Sequence, residues 1–375
     1  MKITTIRVHR LEGKLQRRFG WSLNWTDRRV GTLVEVETDN GLTGWGDGAV
    51  PDGALAKLQG IIGRSPFEAE AIFDKMRAPG LLQGRAGEPM FGSLDVALWD
   101  LQGQALGLPV CKLLGRVYRT EVRPYCTALY RVDSDDLPRA LADEAAGWKA
   151  QGYRTMKMKI GYGADLDIRC VEAVRKAIGE DTGLAVDSNC GYDAPTAIAL
   201  GARLEAFNLR WWEEPLDALD FEGYARLRQS VRIPLASGES LTVDTLARDY
   251  IAPRLIDIVQ PEVEWIGLTG ARRITQMAWL QHIRVVPHNW STAIRTATVL
   301  HWAATIPPPT IGLATGDVTF EFDQTEHPFR DVVVNETVKC DGDGMMHVLD
   351  RPGLGVTIDR EALKRFTVDR IDFYR

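Results

Sequence analysis

The chain has 375 residues with a formal net charge of −6, 45% hydrophobic and 26% charged residues, an ordinary globular make-up whose mild acidity speaks against a nucleic-acid surface or a basic membrane-binding face. No apolar run reaches the ~18–20 residues of a membrane span, and the charged start lacks a signal-peptide core. The five cysteines are odd in number and form no CxxC pair, so reduced thiols in a cytoplasmic protein are expected.

Residues 3–11 and 32–38 alternate apolar and polar side chains as strands do, and Asp39-Asn40-Gly41 turns the second into a third strand over 42–45. Between the first two, residues 16–28 show neither helical nor strand period and are read as a long loop. From about Ala54 the pattern is helical. Residues 93–101 place apolar groups at i, i+3, i+4 and i+7, and Gly107 with Pro109 stops that helix. Strands followed by helices predict an α+β domain over residues 1–118. Beyond Val122, short apolar strands (155–160, 184–186, 209–212) alternate with amphipathic runs (168–178, 195–207), with Pro195 suited to the first position of its helix. This alternation predicts a parallel sheet with helical crossovers over 119–340. The remaining 341–375 carries a Gly/Pro turn and a short final strand, 370–374.

Six ionisable residues close successive strand-like runs: Lys159, Asp187, Glu213, Glu239, Glu262 and His288, at intervals of 28, 26, 26, 23 and 26 residues. Each interval fits one strand, one helix and two short loops. Only a closed barrel turns so many successive strand ends toward one point, so the spacing predicts a (β/α)8-type barrel. Asp187, Glu213 and Glu239 would then crowd together, and carboxylates at that range do not all ionise without a cation. All-oxygen donors without a nearby Cys favour Mg2+, with Mn2+ as a substitute, over zinc. Alternation turns Lys157 and Lys159 to one face and Met158 to the other. An isolated KxK is ordinarily a solvated strand edge, but this pair opens the spaced series. Two neighbouring ammonium groups are expected to depress each other's pKa, leaving one lysine able to act as a base. His288, following a strand that carries Glu262, is a candidate acid/base oriented by that carboxylate.

These residues sit in motifs, KMK, VDSN, WWEEP, SGES, QPE and VPH, that together resemble the mandelate racemase subgroup of the enolase superfamily. The likeness extends almost end to end, through VEVETDNGLTGWGDG, SLDVALWDLQGQALGLPVCKLLG and RPGLGV. It implies a (β/α)7β barrel closed by an α+β capping domain built from the N-terminal region and the C-terminal tail. It also implies Asp187, Glu213 and Glu239 as ligands of one Mg2+, Lys159 as base and Lys157 as its partner on the substrate carboxylate. His288 would be the acid/base on the opposite face, and Glu321, in FEFD, would hydrogen-bond the substrate carboxylate with Asn189 as a further substrate-binding residue. Glu262 replaces the usual Asp beside the histidine, and Glu264-Trp265-Ile266-Gly267 replaces the glycine pair common after it, putting a bulky, polar stretch near the pocket rim. The hairpin also ends GWGD where GWGE is more usual, making Asp47 a capping or solvent residue in this reading.

The tail motifs VPHNWSTAIRTA, FEFDQTEHPFRD and RPGLGV are most similar to the sugar-lactone cycloisomerases and sugar-acid dehydratases of that subgroup. The resemblance therefore implies removal of a proton α to a carboxylate, then β-elimination to a 3-deoxy-2-keto acid. A racemase or epimerase using Lys159 and His288 on opposite faces is the alternative, and a non-catalytic sugar-acid-binding barrel a third. Trp21, Trp25 and Arg18 would fold over the barrel mouth and contact substrate, while Trp290 is a pocket wall or core residue. Expected partners are a small-molecule carboxylate and further copies of the chain, with no nucleic acid and no membrane.

Overall fold

The computed structural model describes residues 1–76, 91–242, 244–309 and 317–374. The N-terminal layer is an antiparallel sheet of β1 (Ile3–Gly20), β2 (Trp25–Thr38) and β3 (Thr43–Asp47), followed by helices α1 (Asp52–Gln59), α2 (Ala69–Met76), α3 (Gly92–Leu106) and α4 (Val110–Leu114). Alternate residues Ile6, Val8, Val34 and Val36 face Leu58, Ile72, Leu94, Leu98 and Leu101 in one buried cluster, as a half-covered sheet requires. Gly44 and Gly46 let β3 lie directly on α3, where an added Cβ would meet the carbonyl oxygens of Ala97 and Ser93.

Residues 16–28 are not a long loop. β1 continues through Gly20 and β2 starts at Trp25, so only 21–24 remain as the tip of a long hairpin. The register slips between Lys14 and Phe19, and a slip of this kind breaks the period of two on which strand reading depends.

The second layer begins with β4 (Glu121–Val122) and β5 (Tyr125–Thr127). It then alternates α5 (Leu137–Ala150), β6 (Thr155–Lys159), α6 (Ala164–Ile178), β7 (Gly183–Asp187), α7 (Ala194–Leu204), β8 (Trp212–Glu213), α8 (Phe221–Ser230), β9 (Leu235–Ser237), α9 (Asp244–Ile251), β10 (Ile258–Val259), α10 (Val263–Leu280), β11 (Arg284–Val285), α11 (Ala293–Thr305) and β12 (Glu321–Asp323). From β5 to β12 these are eight strands joined by seven helices, all paired in parallel in the order β11-β10-β9-β8-β7-β6-β5-β12. The Glu321 amide donates to the Pro287 carbonyl at 3.1 Å and closes the ring. Asp136, Asp193 and Asp220 accept from backbone amides at the starts of α5, α7 and α8, caps worth about 1 kcal/mol each. Pro195 is the second residue of α7, one place later than expected, because Asp193 takes the cap and Ala194 the first position.

Met156 and Met158 face outward into the helix-covered core. Tyr125, Ala185, Trp211, Ala236, Ile258 and Val286 fill the barrel interior as a separate cluster. Ala185, Trp211 and Val286 each lie two residues before Asp187, Glu213 and His288, so the same strand faces carry an apolar floor and then a charged mouth. The chain finishes with β13 (Met346–His347), which pairs with β4, then α12 (Arg360–Phe366) and β14 (Thr367–Tyr374), which returns to pair with β1. Several contacts fasten the layers, two of them at α3 and at the hairpin tip. Asp95 of α3 accepts from the Thr269 amide and hydroxyl beside a kink in α10, where Gly267 adopts φ 59°. Ser22, at the hairpin tip, donates to the Ser188 carbonyl at 2.7 Å, beside β7.

Candidate active site

Lys159, Asp187 and Glu213 are the last residues of β6, β7 and β8, while Glu239, Glu262 and His288 follow β9, β10 and β11 by two or three residues. One oxygen from each of Asp187, Glu213 and Glu239 lies within 4.8 Å of the others. The backbone turns sharply to aim them: Asn189, Cys190 and Glu214 take positive φ values of 41°, 61° and 40°, a conformation costly for side chains other than glycine. The Asn189 amide donates to Asp187 Oδ1 at 2.8 Å and its side chain to Glu239 Oε1 at 3.0 Å. Gln260 and Trp211 donate to Glu213 Oε2 at 2.6 and 3.1 Å.

Both lysines reach this cluster. Lys157 Nζ, fully buried, lies 2.5 Å from Glu213, 2.9 Å from Glu321 and 3.3 Å from Asp187. Lys159 Nζ lies 2.5 Å from Asp187 and 5.3 Å from the centre of the Tyr130 ring. Lys157 does lower Lys159, as expected, but the surrounding carboxylates outweigh it. Burial opposes both charges, but Glu213 and Glu321 around Lys157, and Asp187 beside Lys159, outweigh it and hold both above the usual lysine range.

His288 stands three strands from β6 one way round the ring and five the other. Its Nδ1 is 2.5 Å from Glu262 Oε2, and its Nε2 is 3.0 Å from Glu239 and 3.1 Å from Glu321. Burial disfavours the imidazolium, yet Glu321 and Glu239 raise it well above the ordinary histidine value. The extra methylene of Glu262 is absorbed without moving the histidine away: Oε1 turns back to accept from the Glu264 amide at 2.9 Å, capping α10.

Asp47 is neither a solvent residue nor a mere cap. It is buried, and it accepts from Ser291 Oγ, the Thr292 amide and hydroxyl, and Arg295. Of the three lid residues, Trp21 packs edge-on against Trp290 at 6.0 Å, and Trp290 stacks on Tyr130. Arg18 is exposed, bonded to Asp133 and lying over Trp25. Trp25 borders an open groove of about 710 Å3 with Arg131 and Asp133, apart from the charged cluster. Sequence reading missed Arg295, Tyr130, Gln260 and Thr127, whose hydroxyl donates to Glu321 Oε1 at 2.5 Å. Gln260 was within reach, as a polar residue at a strand end in QPE; Arg295 lies inside a helix and offers no such signal.

The donor set fits a small hard dication. It is all oxygen and three-sided, with Asp187 and Glu213 buried and Glu239 half-buried, and burial together with Asp187 and Glu239 pushes the Glu213 carboxyl up to about 8 despite the pull of Lys157. Such a group returns to the carboxylate form when positive charge is supplied.

Residues 22–115 match the family described as mandelate racemase / muconate lactonizing enzyme, N-terminal domain, and residues 140–362 match enolase C-terminal domain-like. The chain is 35% identical over 374 residues to D-galactarolactone cycloisomerase of Agrobacterium fabrum, covering 98% of this chain and 99% of that protein. The 3,6-anhydro-D-galactonate cycloisomerase of Zobellia galactanivorans superposes with a TM-score of 0.85 at 32% identity, over 98% of this chain and 100% of that one. L-Talarate dehydratase of Polaromonas sp. JS666, crystallised with Mg and L-glucarate, superposes at 0.83 with 29% identity, over 100% of this chain and 99% of that one. The chain therefore belongs to the enolase superfamily, in its mandelate racemase subgroup, and is an enzyme of the lyase or isomerase kind.

Proposed function

We propose that this enzyme removes the proton α to the carboxylate of an acid sugar or its lactone and then expels an oxygen from the β-carbon, yielding a 3-deoxy-2-keto acid. The observation that carries this reading is the pairing of two proton-transfer groups across one carboxylate cluster, Lys159 beside Asp187 and His288 beside Glu239 and Glu321. In this reading Asp187, Glu213 and Glu239 hold Mg2+, which supplies positive charge where a carboxylate gathers negative charge as its α-carbon ionises. Lys157, between Glu213 and Glu321, orients the substrate carboxylate, with Asn189 and Glu321 at its edge. With Asp187 committed to the cation, the charge that keeps Lys159 protonated would be withdrawn; neutral Lys159 then takes the α-proton, and His288, its Nδ1 held by Glu262, protonates the departing hydroxyl or lactone oxygen from the other face. Residues 1–118 and 341–375 serve as the cap and 119–340 as the catalytic barrel. Trp21 closes the mouth through Trp290 and Tyr130, whereas Arg18 and Trp25 brace the hairpin from outside.

The test is a panel of aldonic acids, aldaric acids and their lactones, incubated with Mg2+ in D2O and assayed for 2-keto acid. Keto product with deuterium at C3 is expected. α-Deuterated substrate and its epimer without keto product would instead establish a racemase.

A further inference from the structure

Asp47 and Glu262, both singled out above as departures from the pattern the sequence resembles, are bound to the same guanidinium. Arg295 of α11 donates through Nη2 to Asp47 Oδ1 at 2.8 Å, and its Nη1 lies 3.1 Å from Glu262 Oε2 and 2.8 Å from Glu264 Oε2. Asp47, Glu262 and Arg295 are all buried. Glu262 Oε2 is thus shared between Arg295 and His288 Nδ1.

The cap takes hold of this group twice. Asp47, at the end of β3, accepts four hydrogen bonds, all from residues 291–295, a stretch that begins three residues after His288. Ala49, two residues further along the same loop, donates its amide to Glu264 Oε1 at 2.9 Å. The loop at 47–49 therefore binds both the segment that follows the histidine and the acidic neighbour of its carboxylate partner. A buried carboxylate oxygen shared between two cations loses part of its hold when either is removed.

We propose that Arg295 is a positioning residue, held by Asp47, that fixes the Glu262 carboxylate against His288 and so makes assembly of the acid/base pair depend on docking of the capping domain. This rests on the acid/base role proposed for His288. Arg295 touches no reacting atom. Its effect reaches the chemistry through Glu262 alone, so the step at His288 depends on it and proton removal at Lys159 does not.

The experiment uses the Mg2+-loaded full-length enzyme and the panel compound it turns over. Asp47→Asn can keep an oxygen for the Thr292 amide and hydroxyl while an NH2 group replaces the Oδ1 acceptor shared by Ser291 and Arg295, which removes the hold on Arg295. Arg295→Lys keeps the charge but lacks the second arm, and because it leaves a buried carboxylate short of a partner, Asp47→Asn backs it should it fold poorly. Each variant should lower kcat for product formation at least about tenfold with KM within about threefold, while α-proton exchange in D2O stays within about threefold of wild type. In a Glu262→Gln background either change should cost less than about twofold more, since both act through Glu262. A crystal structure of Mg2+-loaded Asp47→Asn, which needs no substrate, should show the Glu262 carboxylate displaced from the imidazole.

The inference is overturned if exchange and product formation fall in parallel with loss of folded protein, if the effects add fully to Glu262→Gln, or if Glu262 stays in place. Wild-type product formation by His288→Asn would instead remove the acid/base reading itself. Loss in His288→Asn with wild-type rates in Asp47→Asn would remove only the coupling.

Discussion

Glu262 shows how one residue can serve two purposes through its two oxygens. Oε2 meets His288 Nδ1, while Oε1 caps the helix that Glu262 itself begins. An aspartate would hold its carboxylate a methylene closer to the backbone; here the longer arm spans both tasks. Because the dyad keeps His288 protonated and aimed until it gives its proton to the departing oxygen, Glu262→Gln should lower kcat more than about tenfold with little change in KM, measured by steady-state kinetics. His288→Asn should stop product formation yet leave α-proton exchange in D2O, since oxygen departure needs the acid and enolisation does not. Lys159→Ala should show the opposite loss, with no exchange of the proton facing the lysine and a fold unchanged by circular dichroism.

At the level of elements, the cap and barrel meet through α3, β3 and α10. Gly46 lies against the Ser93 carbonyl of α3, so Gly46→Ala should destabilise the protein by about 1–3 kcal/mol in urea unfolding, as overpacking does. Asp95, on the same helix, sits in the seam between α3 and α10. Burial pushes its carboxyl up to about 7, against the hydrogen bonds from Thr269 and Leu268. A raised folded-state pKa means the folded chain holds more protons than the unfolded one, so this group's contribution is fully present below about pH 4 and is lost as pH rises through about 7. The stability of wild type minus that of Asp95→Asn should therefore fall between pH 4 and 7, measured by urea titration at several pH values. A difference that stays level, or rises, would show that Asp95 ionises freely in the folded state.

For the molecule as a whole, the cation and the fold are linked. Two buried carboxylates and a half-buried one brought within 4.8 Å exist only in the folded chain. Any ion that binds them raises stability, by about 2.7 kcal/mol at a hundred times its dissociation constant. EDTA should abolish turnover and Mg2+ restore it, and the melting temperature should climb with Mg2+ in the wild type but hardly in Glu213→Gln. Full activity after exhaustive chelation would remove the metal from the reaction.

Barrel and charged mouth were legible in the sequence because both are written locally. A strand, a helix and two loops fill about the same length each time, so a strand-end residue recurs at a nearly constant interval, and hydrogen bonding to the next strand puts all such ends on one rim. Asp187, Glu213, Glu239, Glu262 and His288 follow from that rhythm, and Ala185, Trp211 and Val286 beneath them follow from alternation. The hairpin tip was not legible, since the slip between Lys14 and Phe19 erases the period of two. Nor was the lysine electrostatics, because the sign of a pKa shift depends on which charges stand nearest, and carboxylates from other strands stand nearer than the neighbouring lysine. The link from Asp47 through Arg295 to Glu262 was decided by tertiary structure alone. Asp47 and Arg295 lie 248 positions apart, no periodicity joins them, and only the docking of β3 onto the barrel brings the carboxylate to the guanidinium.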